Sequence, residues 1–177
     1  ASGGTGQAAV EIGKAMGARV IACASSPDKL AFTRSLGSDE GIDYGLEDLK
    51  ERLKTLTGGT GVDVVYDPVG GELAEQALRA LAWLGRFLVI GFASGDIPKI
   101  PLNLALLKSC DIRGVFWGSA VERDPDSHRR NVAQLLDWVA EGRLKPHLDT
   151  VYPLEETAVA LQRLADRDVK GKLVIRP

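Results

Sequence analysis

Two hydrophobic periods divide this chain into segments. Between Gln7 and Met16 the apolar residues Ala8, Ala9, Ile12 and Met16 recur at helical spacing, and Gly17 is placed to cap that helix. Residues 19–24 (RVIACA) form a short apolar run of strand length, ended by Ser25-Ser26-Pro27. Pro27 suits the first turn of a helix over 28–36, which Gly37 closes. A brief strand at 41–44 and a charged helix over 46–56 come next. The pattern then predicts a strand at 62–66 (VDVVY), an amphipathic helix over 72–81 and a strand at 85–91 (GRFLVIG). A short helix over 102–109 leads to a strand at 111–117. Long helical patterns cover 126–141 and 152–166, and a strand at 172–175 closes the chain. Strands alternating with helices of ten or so residues imply parallel strands joined by crossover helices. Apolar, β-branched runs such as VDVVY fit strands buried on both faces. The expected fold is therefore α/β, a doubly wound parallel sheet of the Rossmann-like kind. Its first strand is expected before Ala1, because the chain opens directly on a glycine-rich loop.

That loop carries the first chemical signal. Ala1-x-Gly3-Gly4-x-Gly6 has the spacing of the dinucleotide fingerprint, with alanine in the first glycine slot. Gly3 lets the backbone approach a pyrophosphate, and Gly6 lets the following helix pack tightly on the sheet. The helix N-terminus adds N–H groups and the positive end of its dipole. The end of the second strand selects the dinucleotide, since an Asp or Glu there hydrogen-bonds the ribose of NAD. Here Ala24 is followed by Ser25 and Ser26, with Asp28 and Lys29 inside the next helix. Hydroxyls and a lysine suit a 2′-phosphate, so NADPH is favoured over NAD. The loops at 67–71 (DPVGG), 91–95 (GFASG) and 115–118 (VFWG) follow successive strands and are placed to line the rest of a crevice.

Composition narrows the class. Twenty-two Lys and Arg against 24 Asp and Glu give a net charge of −2, which argues against a nucleic-acid footprint. No apolar run approaches the roughly 20 residues that span a bilayer, so a soluble, cytoplasmic protein with no membrane partner is expected. Cys23 and Cys110 are too few and too distant for a disulfide framework, and no His/Cys/Asp/Glu cluster has zinc spacing. His128 and His147 lie among surface-type residues, and Ser2 and Thr5 lack a nucleophile-elbow pattern. No catalytic constellation is legible.

The segments ASGGTGQAAVEIGKAMGARVIACASSPDKL, VDVVYDPVGG, GRFLVIGFASGDIPKIPLNLALLK, GVFWG and GKLVIRP together resemble the medium-chain dehydrogenase/reductase superfamily. Within it they look closest to the zinc-independent quinone oxidoreductase branch. The resemblance implies that Ser2, Gly3, Gly4 and Thr5 hold the pyrophosphate of NADPH, and that Ser26, Lys29 and Tyr44 hold its 2′-phosphate. It further implies that Phe92, Ala93, Phe116 and Trp117 flank the nicotinamide, and that residues 107–117 form the edge of a homodimer. Residues 1–118 would be the NADP(H)-binding domain. Residues 119–177 would return toward a GroES-like catalytic domain absent from the chain, leaving the strand at 173–175 without its pairing partner. The implied reaction is metal-free hydride transfer from NADPH to a small-molecule quinone or enone. An enoyl-thioester reductase of the same superfamily, and a non-catalytic nucleotide-binding module, are the alternatives.

Overall fold

The computed structural model describes residues 1–177, and its elements start and stop where local backbone chemistry requires. Contacts group the chain into two compact units, Ala1–Gly45 with Asn131–Pro177, and Leu46–Arg130. In the first unit, α1 (Gly4–Ala15) follows an extended Gly3 and stops before Gly17, whose φ of 83° is the left-handed conformation that releases a helix. β1 (Ile21–Ala24) leads to α2 (Pro27–Ser35), where the Ser26 hydroxyl oxygen accepts a hydrogen bond from the Lys29 N–H at 3.3 Å. β2 (Glu40–Asp43) then pairs in parallel with β1, Ile21 opposite Glu40 and Ala24 opposite Asp43. A parallel pair needs a crossover, and α2 supplies it by packing on both strands.

The second unit repeats this logic. α3 (Leu49–Leu56) is capped by Asp48, whose carboxylate accepts from the Glu51 N–H at 2.8 Å. β3 (Val62–Asp67), β4 (Leu81–Val89) and β5 (Asp111–Gly114) form a three-stranded parallel sheet in that order. α4 (Glu72–Arg79) joins β3 to β4 and buries Ala74, Ala77 and Leu78. α5 (Asn103–Lys108) joins β4 to β5, and its Lys108 Nζ donates to the Leu81 carbonyl at 2.6 Å. The β3–β4 register jumps from Val62 opposite Leu81 to Val64 opposite Arg86, a bulge that includes Leu84 at a φ of 59°. α6 (Trp117–Arg123) and α7 (Pro125–Ala140) follow, and the chain crosses into the first unit within α7.

The C-terminal part of the first unit departs from the sequence pattern. A helix over 152–166 is expected, but Tyr152 lies in β6 (Leu148–Pro153); a 3-10 turn (Leu154–Glu156) and then α8 (Thr157–Ala165) follow. Pro153 explains the shift: the residue before a proline is pushed out of the helical region, which keeps Tyr152 extended, and Pro153 is itself extended at φ −68° and ψ 162°. β7 (Lys172–Arg176), the strand expected to have lost a pairing partner, pairs in parallel on one side with β6, Val174 opposite Val151. The strand expected at 111–117 ends at Gly114, and Trp117 opens α6 instead. All strand pairings are parallel, in sheets of two, three and two strands, as the α/β expectation requires.

Candidate functional site

α1 begins without a side-chain cap and has no acidic residue in its first turn. No carboxylate of its own first turn competes there for the positive end of the helix dipole, so the loop is open to an anion. A methyl group on Gly3 would meet no atom within 4 Å, whereas one on Gly6 would lie 2.5 Å from the Ala1 backbone. Gly3 thus faces open space, and Gly6 is where the loop folds back on its own helix. Ser2, Gly3, Gly4 and Thr5 lie together at this end, as expected from the sequence.

Ser26, Lys29 and Tyr44 gather at the C-terminal ends of β1 and β2. Ser26 caps α2, one turn from Lys29. The Tyr44 N–H donates to the Ala24 carbonyl at 3.1 Å, which seats Tyr44 beside the end of β1 with its side chain 38% exposed. The nearest acids are engaged elsewhere. Asp43 is buried, and its Oδ1 accepts from the Gly45 N–H at 3.0 Å. Asp28 pairs with Lys170 at 2.5 Å.

Sequence reasoning missed a third contributor, the strap at 166–171 between α8 and β7. The Gly171 N–H donates to the Ser2 carbonyl at 2.8 Å, and Gly171 bridges Gly3 in parallel. Lys29 Nζ donates to the Arg167 carbonyl at 3.1 Å. The Lys172 ammonium stands 3.0 Å from the place a Gly4 Cβ would occupy. A methyl on Gly171 would lie 2.6 Å from the His147 carbonyl oxygen and 2.8 Å from Gln7 Oε1, so glycine is required there. Gln7, 1% exposed, clamps the same region: its Nε2 donates to the His147 carbonyl and its Oε1 accepts from the His147 N–H, both at 3.3 Å. Glu11, also buried, accepts from the Lys145 N–H at 2.7 Å. Two buried polar residues on an otherwise ordinary amphipathic helix, and the cations in Asp166-Arg167-Asp168-Val169-Lys170-Gly171-Lys172, were the available signals.

In the second unit the loops after β3 and β4 are laced together. Asp67 Oδ1 accepts from the N–H groups of Val69 (2.9 Å) and Gly70 (3.0 Å), and Gly70 and Gly71 take φ values of 69° and 66°. Ala93 N–H donates to the Pro68 carbonyl at 3.1 Å, and Ser94 reaches the Val69 carbonyl through both its N–H and its hydroxyl. This lacing fixes Phe92 and Ala93 on one rigid loop. Phe92, Ile97, Pro98 and Ile112 rim an apolar cleft of about 180 Å³ over Leu78 and Phe87, with Asp67 its one carboxylate. Phe116 and Trp117 follow β5 and are 81% and 67% exposed. The Trp117 ring meets His128 edge-on at 5.7 Å.

Charge shifts lie mostly away from these loops. The Lys14 ammonium bonded to Asp39, with the Val20 N–H, holds the Asp39 carboxyl below the usual carboxylate range. Burial pushes the Tyr66 phenol up. No group of three or more His, Cys, Asp or Glu side chains converges as a metal site. No helix is long and apolar enough to cross a membrane.

Comparison with known proteins adds the family context. Residues 4–141 match the family described as zinc-binding dehydrogenase. The chain is 37% identical over 177 residues to a quinone oxidoreductase-like protein 2 homolog of Nematostella vectensis, covering 99% of this chain and 48% of that protein. It is 32% identical to a 2-haloacrylate reductase of a Burkholderia species, covering all of this chain and 54% of the relative. Its fold superposes on the crystal structure of Escherichia coli quinone oxidoreductase complexed with NADPH with a TM-score of 0.87 at 30% identity, over 99% of this chain and 55% of that one. The chain therefore spans about half the length of the proteins it matches.

Proposed function

The chain belongs to the zinc-binding dehydrogenase family, and from that premise we propose that it is the coenzyme-binding portion of an NADPH-dependent reductase acting on a quinone or enone. One observation carries this reading: an uncapped, acid-free helix N-terminus opens on free space at Gly3, while the end of β1 offers Ser26 and Lys29 with Asp28 taken up by Lys170. Those residues fit a dinucleotide bearing a 2′-phosphate. Ser2, Gly3, Gly4 and Thr5 would hold the pyrophosphate, Ser26, Lys29 and Tyr44 the 2′-phosphate, and Phe92, Ala93, Phe116 and Trp117 would flank the nicotinamide. The E. coli relative with bound NADPH supports the choice of cofactor. Bound there, the nicotinamide supplies the hydride. The chain's own residues bind and orient it and keep water from its face, which is the protein's share of cofactor chemistry. The residues of this chain do not fit a zinc ion, so no step runs through one.

Residues 1–118 make up the NADP(H)-binding domain in this proposal, and 119–177 return toward a GroES-like catalytic domain. A homodimer edge at 107–117 is supported by the exposed Leu106, Leu107 and Ile112 and by the outer side of β5, which pairs with no strand. The likeness to the 2-haloacrylate reductase supports an activated alkene as an acceptor beside the quinone. Steady-state turnover of the intact protein with NADPH against a p-quinone and an α,β-unsaturated ketone or acid tests the reading. NADPH oxidation is expected with at least one acceptor, and none with any acceptor contradicts it.

A further inference from the structure

Arg163 on α8 makes more polar contacts than any role in holding its own helix requires. Its Nη1 donates to Thr150 Oγ1 at 3.0 Å and to the Tyr152 hydroxyl at 2.8 Å, both on β6. Its Nη2 donates to Asp149 Oδ2 at 2.8 Å and to the Asp168 main-chain carbonyl at 2.9 Å. The planar guanidinium therefore joins β6, which is fixed in a sheet, to Asp168 in the strap, whose far end is tied at Gly171 to the glycine loop. Arg167, just past the end of α8, takes a left-handed φ of 58° as the helix terminates, its N–H donating to the Leu164 carbonyl and that of Asp168 to the Arg163 carbonyl. The Arg167 carbonyl accepts from Lys29 Nζ, and Lys170 neutralises Asp28 one residue away from Lys29.

We propose that Arg163 is a positioning residue that sets the charge around Lys29 through the 166–171 strap, and so governs selectivity for a 2′-phosphate; this rests on the NADPH reading above. With the strap held, Lys29 has one donor anchored and two left for an anion, and the Asp28 carboxylate is paired. With the strap released, Lys29 loses its anchor, and Asp28 faces any incoming phosphate as an uncompensated like charge. A ribose 2′-hydroxyl feels little of this, so the effect falls on NADPH and spares NADH.

The test compares the intact protein with its Arg163→Met and Tyr152→Phe variants, measuring NADPH and NADH dissociation constants and the rate of trypsin cleavage after Arg167 and Lys170. For Arg163→Met we expect the NADPH constant to rise about tenfold, the loss of one charge-assisted contact. The NADH constant is expected to stay within about twofold, with faster cleavage in the strap. Tyr152→Phe removes an Arg163 contact without touching the strap and is expected to leave both constants and the cleavage rate alone. An unchanged NADPH constant in Arg163→Met, or an equal loss for both cofactors, overturns the positioning role. If Arg163→Met does not fold, Arg163→Lys, which cannot span the same acceptors, is read by the same criteria. A parent protein that binds both cofactors equally contradicts the NADPH reading instead. The cleavage arm then still decides whether Arg163 holds the strap: faster cleavage keeps that part, and unchanged cleavage removes it.

Discussion

Two glycines three residues apart behave as opposites when a methyl group is imagined on each. On Gly6 the methyl would sit 2.5 Å from the Ala1 backbone, which has no side chain to move aside. Gly6→Ala is therefore expected to cost about 1–3 kcal/mol of stability, read as a lower urea midpoint. On Gly3 the methyl meets nothing within 4 Å. Gly3→Ala is expected to leave the urea midpoint in place while weakening NADPH binding, because the methyl enters the space given to the pyrophosphate. A Gly3→Ala protein that binds as tightly as the parent removes that space from the site. A different residue contributes to acid stability. The Lys14 bond lowers the Asp39 pKa in the folded state, so the pair's contribution is present above the unfolded value of about 3.9 and is lost as pH falls through the folded value. Asp39→Asn should accordingly weaken the protein at pH 7 and match the parent in strong acid, as urea melts at the two pH values would record. The placement of Ser26 and Lys29 beside the end of β1 was legible in the sequence because the distance along the chain is the distance in space. Lys170 and Gly171 were not, since their partners Asp28 and Ser2 lie at the other end of the chain.

At the scale of elements, patterns worked where one face of a helix or strand is apolar and failed where a side chain breaks the pattern. α4 was readable because its apolar stripe is complete, and it is the keystone of the second unit's core. Leu78, 1% exposed, is expected to cost about 2–5 kcal/mol on truncation to alanine, measured by denaturant unfolding. The expected helix overlaps the end of β6 because the helical spacing of Leu154, Ala158, Leu161 and Leu164 does not mark where the helix starts, and Pro153, which keeps Tyr152 extended, does. The α1–β6 junction shows what periodicity cannot reveal. Gln7 faces the interior because the His147 main chain supplies both of its partners. Gln7→Leu keeps the volume but leaves the His147 N–H unpaired and its carbonyl with the Lys172 N–H alone. A loss of about 1–3 kcal/mol is expected by denaturant unfolding, and a neutral result would mean that water reaches them.

At the scale of the whole molecule, the chain is two α/β units of parallel strands, about half the length of the relatives it matches. The fold class follows from the alternation of strands and helices and needed no structure. What needed one was the way the C-terminal strap comes back to the N-terminal glycine loop within one unit, since that contact joins the two ends of the sequence. In the proposed function this unit recognises a 2′-phosphorylated dinucleotide through Ser26, Lys29 and Tyr44. The most direct measurement is a paired titration of NADPH and NADH against the intact protein and its Lys29→Ala variant, followed by nicotinamide fluorescence. The parent is expected to prefer NADPH by about tenfold or more, and Lys29→Ala to lose most of that preference by weakening NADPH alone. Equal affinity for the two cofactors in the parent, or a preference untouched by Lys29→Ala, would contradict that reading.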